Sequence, residues 1–393
     1  GTLEGEGLRI PWKPLDPLLI RSASLSADGG EIRVASADLA WPEVPLQLRG
    51  KGGLSRDGFT ADVDVETGDV PLERLLPQPP VPEESAAGTG GPPVADAGYR
   101  LPKLPVRGVF RVRSESIRYD RLSVRTVDAR GELGPDKLHV EVSGADLCGF
   151  PLQLLATLDS GGLALELRTT ASGTDLNDPL MCLFDKRLSM TGSFEFATRL
   201  SARGKDRESL LRSIEGPVEF TARDGRIYQW PTLSRILSVL NVTNVVRGQF
   251  PDIRKEGLPY KTLRVQGDYW AQVFLMKEGA MWGPTLGLAW TGEVDLRNSE
   301  LDLKVLAAPF RTADWIIRHT PIVNYIMGKT LVSVPLRVKG ALHDPRVSFD
   351  PVGVGTGLLG VLERTVTLPV KIVEDVVPGT EPAKTKGGKA GGD

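Results

Sequence analysis

A period of two runs through most of this chain and constrains its fold more than any other feature. In Ala61-Asp62-Val63-Asp64-Val65-Glu66 apolar and acidic residues alternate without a break, and successive side chains of an extended backbone point to opposite faces. Such a segment is a strand with one apolar and one charged face. Glu31-Ile32-Arg33-Val34-Ala35 repeats the pattern after a Gly29-Gly30 turn. Further on, Phe110 and Val112 alternate with Arg111 and Arg113, and Leu138, Val140 and Val142 with His139 and Glu141. Leu163, Leu165 and Leu167 alternate with Ala164, Glu166 and Arg168, and Phe194 and Phe196 flank Glu195. Strands that recur about every ten to fifteen residues between Gly or Asp turns predict an antiparallel meander. No helices alternate with them, as a parallel α/β sheet would require.

The stretch from Ile214 to Asp350 adds helices to this pattern. A strand over Pro217–Ala222 is followed by an Asp224-Gly225 turn. Leu233, Ile236, Leu237 and Leu240 then fall at i, i+3, i+4 and i+7, one face of a helix that starts near Thr232. Just before the stretch, Asp206 is placed to cap a short helix carrying Leu210, Leu211 and Ile214. Val294-Asp295-Leu296 and Leu301-Asp302-Leu303-Lys304-Val305 flank Arg297-Asn298-Ser299 as a hairpin. Thr312 is expected to cap a helix with Trp315, Ile316 and Ile317, and a second helix to run from Pro321 to Gly328. Register predicts that Leu296, Leu303 and Val305 share one concave face with Val218, Phe220, Leu336 and Val338.

The rest of the chain is expected to divide by composition. Residues 1–76 read as β, and the Pro- and Gly-rich run over 77–98 as a linker or loop, because proline lacks a donor and glycine is too free for a ladder. A β region with embedded helices follows over 99–350, then an amphipathic helical segment over 351–377 and a disordered tail over 378–393. In the helical segment Leu358, Leu359, Leu362 and Val366 form a stripe that either lies on a membrane or caps the open edge of a sheet. The fold class is mainly β: an elongated antiparallel sheet with a few short helices.

The chemistry-bearing patterns are missing. His139, His319 and His343 lie far apart, with no paired metal-ligand spacing. No nucleophile elbow, Walker loop or dinucleotide fingerprint occurs. Gly353-Val354-Gly355-Thr356-Gly357 is followed by no lysine. Carboxylates such as Asp62, Asp64, Asp295 and Asp302 sit on the polar side of alternating strands, where a solvated face explains them. A formal net charge of −2 over 393 residues gives no field for nucleic acid. No catalytic residue, metal or cofactor is expected. No stretch reaches the roughly 20 apolar residues of a membrane-spanning helix. The chain opens at Gly1 in mid-pattern, so a trimmed or mature piece is expected.

Gly216-Pro217-Val218-Glu219-Phe220 through Asp224-Gly225-Arg226-Ile227, with Ile236–Asn241, resembles the C-terminal region of AsmA-like envelope proteins. Leu301-Asp302-Leu303, Ala307-Ala308-Pro309-Phe310, Val334–Gly340 and Asp344-Pro345 continue the resemblance, which covers roughly residues 105–375. It implies a strongly curved sheet, folded like a taco, whose groove holds phospholipid, with Phe194, Phe196, Val218, Phe220, Leu296, Leu303, Val305, Leu336 and Val338 as candidate groove residues. It also implies a periplasmic protein, anchored in the inner membrane by a segment outside this chain, that moves phospholipid towards the outer membrane. A disulfide between Cys148 and Cys182, across two expected strands, follows from the same resemblance; two buried thiols are the other possibility. The alternative function is a structural or assembly factor for the outer membrane that binds proteins and whose apolar face is only a core.

Overall fold

A computed structural model describes residues 2–10, 18–41, 44–55, 58–71, 98–99, 101, 106–119, 122–184, 188–242, 253–309, 333–350 and 358. Among them nineteen strands form one open sheet. The strands β1 (Thr2–Ile10), β2 (Leu18–Asp28), β3 (Glu31–Ala40), β4 (Pro45–Ser55) and β5 (Gly58–Pro71) come first. They continue with β6 (Val106–Tyr119), β7 (Leu122–Leu133), β8 (Leu138–Leu147), β9 (Phe150–Asp159) and β10 (Gly162–Gly173). Helix α1 (Asn177–Phe184) leads to β11 (Ser189–Met190) and β12 (Ser193–Gly204), and α2 (Arg207–Arg212) to β13 (Glu215–Gln229). After α3 (Pro231–Val242) and the single turn α4 (Ile253–Glu256) come β14 (Leu258–Trp270), β15 (Val273–Trp282) and β16 (Leu286–Asp295). β17 (Glu300–Pro309), β18 (Val334–Ala341) and β19 (Arg346–Phe349) close the order.

Neighbours in sequence are neighbours in the sheet. β1 to β10 pair in succession, β10 pairs with β12, and β12 to β19 continue in succession, with β11 laid along the far end of β13. One joint departs from the antiparallel meander expected of the sequence. β5 and β6 run parallel over twelve register pairs from Phe59↔Val106 to Pro71↔Arg118. A parallel pair needs a crossover of a dozen or more residues, and residues 72–105, which contain the Pro- and Gly-rich run, span that connection. The 77–98 segment itself, save Gly98, lies outside the described residues, as do the helices expected at 312–317 and 321–328 and the tail.

Local chemistry sets the helices that are described. Asp206 caps α2 as expected: its side chain accepts from the Ser209 N–H at 2.7 Å, and the Ser209 Oγ lies 3.1 Å from the Asp206 N–H in a reciprocal capping box. α3 begins at Pro231, a favoured first-turn residue, one position before the expected Thr232. The hairpin between β16 and β17 turns where Asp295 accepts from the Asn298 N–H at 3.0 Å and Ser299 takes a left-handed φ of 54°. α1 departs from expectation. Cys182 sits on this helix and Cys148 in the β8–β9 turn, not on two strands, and the two are joined with Cα atoms 5.7 Å apart. No described helix is long and apolar enough to cross a membrane.

Candidate functional site

Register carries a single apolar face across the sheet. One row of cross-strand partners runs Leu48, Val65, Val112, Ala129, Val142, Leu154 and Leu167 from β4 to β10. Four residues along β10, on the same face, a second row runs Ala171, Phe196, Phe220, Val265, Gly279, Trp290, Val305 and Leu336 to β18. The other face is charged. There Asp302 accepts from Arg337 Nε at 2.5 Å and Nη2 at 2.7 Å, and Arg223 meets Glu195 at 2.7 Å. The Arg337 hydrogen bonds, followed by its charge and that of Lys339, hold the Asp302 carboxyl below the usual carboxylate range.

Two halves of this apolar face are covered to different degrees. Over β4 to β10 most of the row is half-buried: Leu48, Val65, Val112, Val142, Leu154 and Leu167 all retain contact with solvent. Over β16 to β18 it is sealed, with Trp290 5%, Val305 2% and Leu336 0% exposed. The seal is α3. Its stripe Leu233, Ile236, Leu237 and Leu240 is buried in one cluster with Trp290, Leu303, Val305, Leu336 and Val338. Ion pairing between Arg235 and Asp344 ties the helix to the turn before β19. α1 covers a neighbouring part of the face, with Leu176 and Leu180 buried beside Phe150, Phe194 and Met190, and the Cys148–Cys182 disulfide fastens it to the sheet.

The candidate groove residues therefore separate. Phe196, Val218 and Phe220 are half-buried on the shared face, with Phe196 packed edge-on to Phe150 at 5.2 Å. Phe194, Leu303, Val305, Leu336 and Val338 lie on the same face but inside a closed core. Leu296 does not join them. β16 ends at Asp295, and Leu296 lies in the following turn, 48% exposed, its N–H donating to the Gln272 carbonyl at 2.9 Å. The alternation that placed it on the face continues for one residue beyond the ladder. Leu358 packs on the opposite side of the sheet, buried with Ala280, Ala289, Leu306 and Ala308, so that β15 to β17 are apolar on both faces there. Leu359, Leu362 and Val366 lie outside the described residues.

Between α3 and β14–β17 a cavity of about 180 Å³ remains. Trp230, Leu233 and Ile236 line it from the helix side, and Val265, Met276, Trp290, Val294, Leu301 and Leu303 from the sheet. One polar group in this wall is already occupied, because the Trp290 indole N–H donates to Met276 Sδ at 2.8 Å. Trp230 stands edge-on to Trp290, with ring centroids 6.1 Å apart. Trp230, Met276, Trp290 and Leu301 are not among the candidate groove residues read from the sequence. The signal for them is the cross-strand pairing of Gly279 with Trp290 and of Val294 with Leu301, which periodicity within one strand does not reveal.

Chemically, such a surface offers apolar contact and few polar partners. Among the described residues no three His, Cys, Asp or Glu side chains converge on a common point. Comparison of the chain with protein-family models, with curated proteins and with solved structures yields no match.

Proposed function

We propose that this chain is a non-enzymatic, lipid-handling protein of the cell envelope that carries phospholipid on its apolar sheet face in the course of outer-membrane biogenesis. The observation that carries the reading is the row from Leu48 to Leu167, continuous through seven strands and only half covered. Contiguous apolar surface left in contact with solvent is the kind that marks interaction sites. Acyl chains laid along it gain about 0.8 kcal/mol for each methylene taken out of water, which needs no polar contact. Two further points agree with a periplasmic setting. Cys148 and Cys182 are joined, and disulfides persist mainly in oxidising compartments. The resemblance of residues 105–375 to AsmA-like proteins supplies the lipid, the inner-membrane anchor beyond this chain and the contact with the outer membrane.

Native mass spectrometry of the purified chain, read for co-purified phospholipid, tests this directly. Leu167→Glu sharpens the test, because Leu167 is half-buried between Leu154 and Leu200 and a charge there can hydrate. The variant is expected to keep its melting temperature and lose lipid. A parent chain that carries no lipid would leave the second reading, an assembly factor that binds proteins. The closed core under α3 is the observation that favours it.

A further inference from the structure

We infer that the cavity under α3 is a binding site for one linear aliphatic chain, entered from the hairpin ends of β16–β19. The inference rests on the lipid reading only for the identity of its occupant, the hydrocarbon chain of an amphiphile.

Shape comes first. Along β16 the lining residues run from Leu288 to Val294, a distance of roughly 20 Å at about 3.4 Å per residue. The slot, of about 180 Å³, lies against that stretch of β16. Apolar cavities of about 150 Å³ stay dry and accept hydrocarbons such as benzene, so a volume of about 180 Å³ takes the terminal methylenes of an aliphatic chain. Chemistry agrees with shape. Among the thirteen lining residues only Thr232 carries a hydroxyl and none carries a charge. With the Trp290 N–H held by Met276, only the Trp230 indole N–H and the Thr232 hydroxyl remain as polar side-chain groups in the wall.

The ends of the slot differ. Near the first turn of α3 it is lined by Trp230 and Thr232, and Trp230 is braced against Trp290. At the other end stands Leu342, 38% exposed in the turn after β18. The Leu342 N–H donates to the Ser299 carbonyl at 2.8 Å, which sets this turn beside the β16–β17 hairpin and its exposed Leu296. An aliphatic chain thus enters between two hairpins, past Leu342, and runs antiparallel to β16 towards Trp230. The polar group of the amphiphile stays outside, among Arg297, Asn298 and Ser299. On the continuous face the slot is the far end of the row that begins at β4.

Fatty acid brominated near its methyl end, titrated into the delipidated full chain, reads this site, because bromine quenches only tryptophans close to it and Trp230 and Trp290 flank the slot. Saturable quenching is expected. Val294→Phe fills the half-buried wall near the mouth and is expected to weaken the apparent affinity at least tenfold. Leu342→Phe narrows the exposed mouth, cannot disturb the core, and replaces Val294→Phe should that variant fail to fold. Quenching that persists at parental affinity in the mouth variant, or that never saturates in the parent, overturns the slot. Co-purified phospholipid lost in Leu167→Glu alongside such a result would leave the lipid reading standing without it. Saturable quenching in a parent that carries no phospholipid would do the reverse.

Discussion

The indole of Trp290 lies flat across Gly279 of the neighbouring strand, so close that a Cβ added to the glycine would stand 2.1 Å from Trp290 Cε2. The contact explains why a flexible residue is placed in the middle of β15. Gly279→Ala must push the ring away and break the Nε1–Met276 bond. Overpacking of this kind costs about 1–3 kcal/mol. The expected outcome is a lower denaturation midpoint together with a shifted tryptophan emission, measured on the same sample. An unchanged emission would mean that the ring has room elsewhere.

Leu303 tests the seal made by α3. It is 7% exposed, opposite Gly292 on one side and Val338 on the other. Leu303→Glu therefore buries a carboxylate with no partner, at a cost of several kcal/mol. Loss of cooperative unfolding by circular dichroism is expected, in contrast to Leu167→Glu, where the fold survives. A Leu303→Glu chain that melts like the parent would show that the face under α3 is open to water.

Removing the disulfide should loosen one helix. The Cys148–Cys182 bond closes a loop with a sequence separation of 34 residues, worth roughly 3–4 kcal/mol on the loop-entropy model. A Cys148→Ser, Cys182→Ser chain is expected to unfold at lower denaturant, with faster amide exchange in α1 above all. Reducing agent should lower the parent to the same midpoint and leave the variant unmoved.

Tyr260 gives a pH dependence. It is 2% exposed and donates to the Thr191 carbonyl at 2.6 Å; burial first, and the Asp224 charge second, push its phenol up to about 12. In the unfolded chain the same group ionises near 10. Its contribution to stability is thus complete below about pH 10 and is lost as pH rises towards 12. Tyr260→Phe is expected to be less stable than the parent by about 1 kcal/mol at pH 8, for the lost hydrogen bond. The gap should narrow from pH 10 to 12 in melting curves recorded across that range; a constant gap would mean that the phenol ionises without resistance in the folded state.

Much of the architecture was legible because it is local. The strict alternation at Ala61–Glu66, the stripe of Leu233, Ile236, Leu237 and Leu240 and the Asp206 cap each depend on residues a few positions apart, and all appear in the structure. α1 was missed because it has only eight residues and carries Pro179 inside its first turn. What holds it is tertiary, through the disulfide and the burial of Leu176 and Leu180. The parallel joint was illegible for a related reason: no turn residue specifies which strand receives β5 across residues 72–105. Nor does alternation distinguish Leu154 from Leu336. Both face the same way, and among the described residues only the latter has a helix above it.

The sequential pairing of the strands makes the span of the sheet a counted quantity. Because each strand touches little beyond the ones before and after it, the energetics are nearly one-dimensional, as in repeat arrays. A hairpin gained or lost within β6 to β10 would move the far end by two strand spacings, about 9–10 Å, and leave the remaining registers as they are. The number of hairpins acts as a ruler: duplication of one could lengthen the protein without redesigning either end.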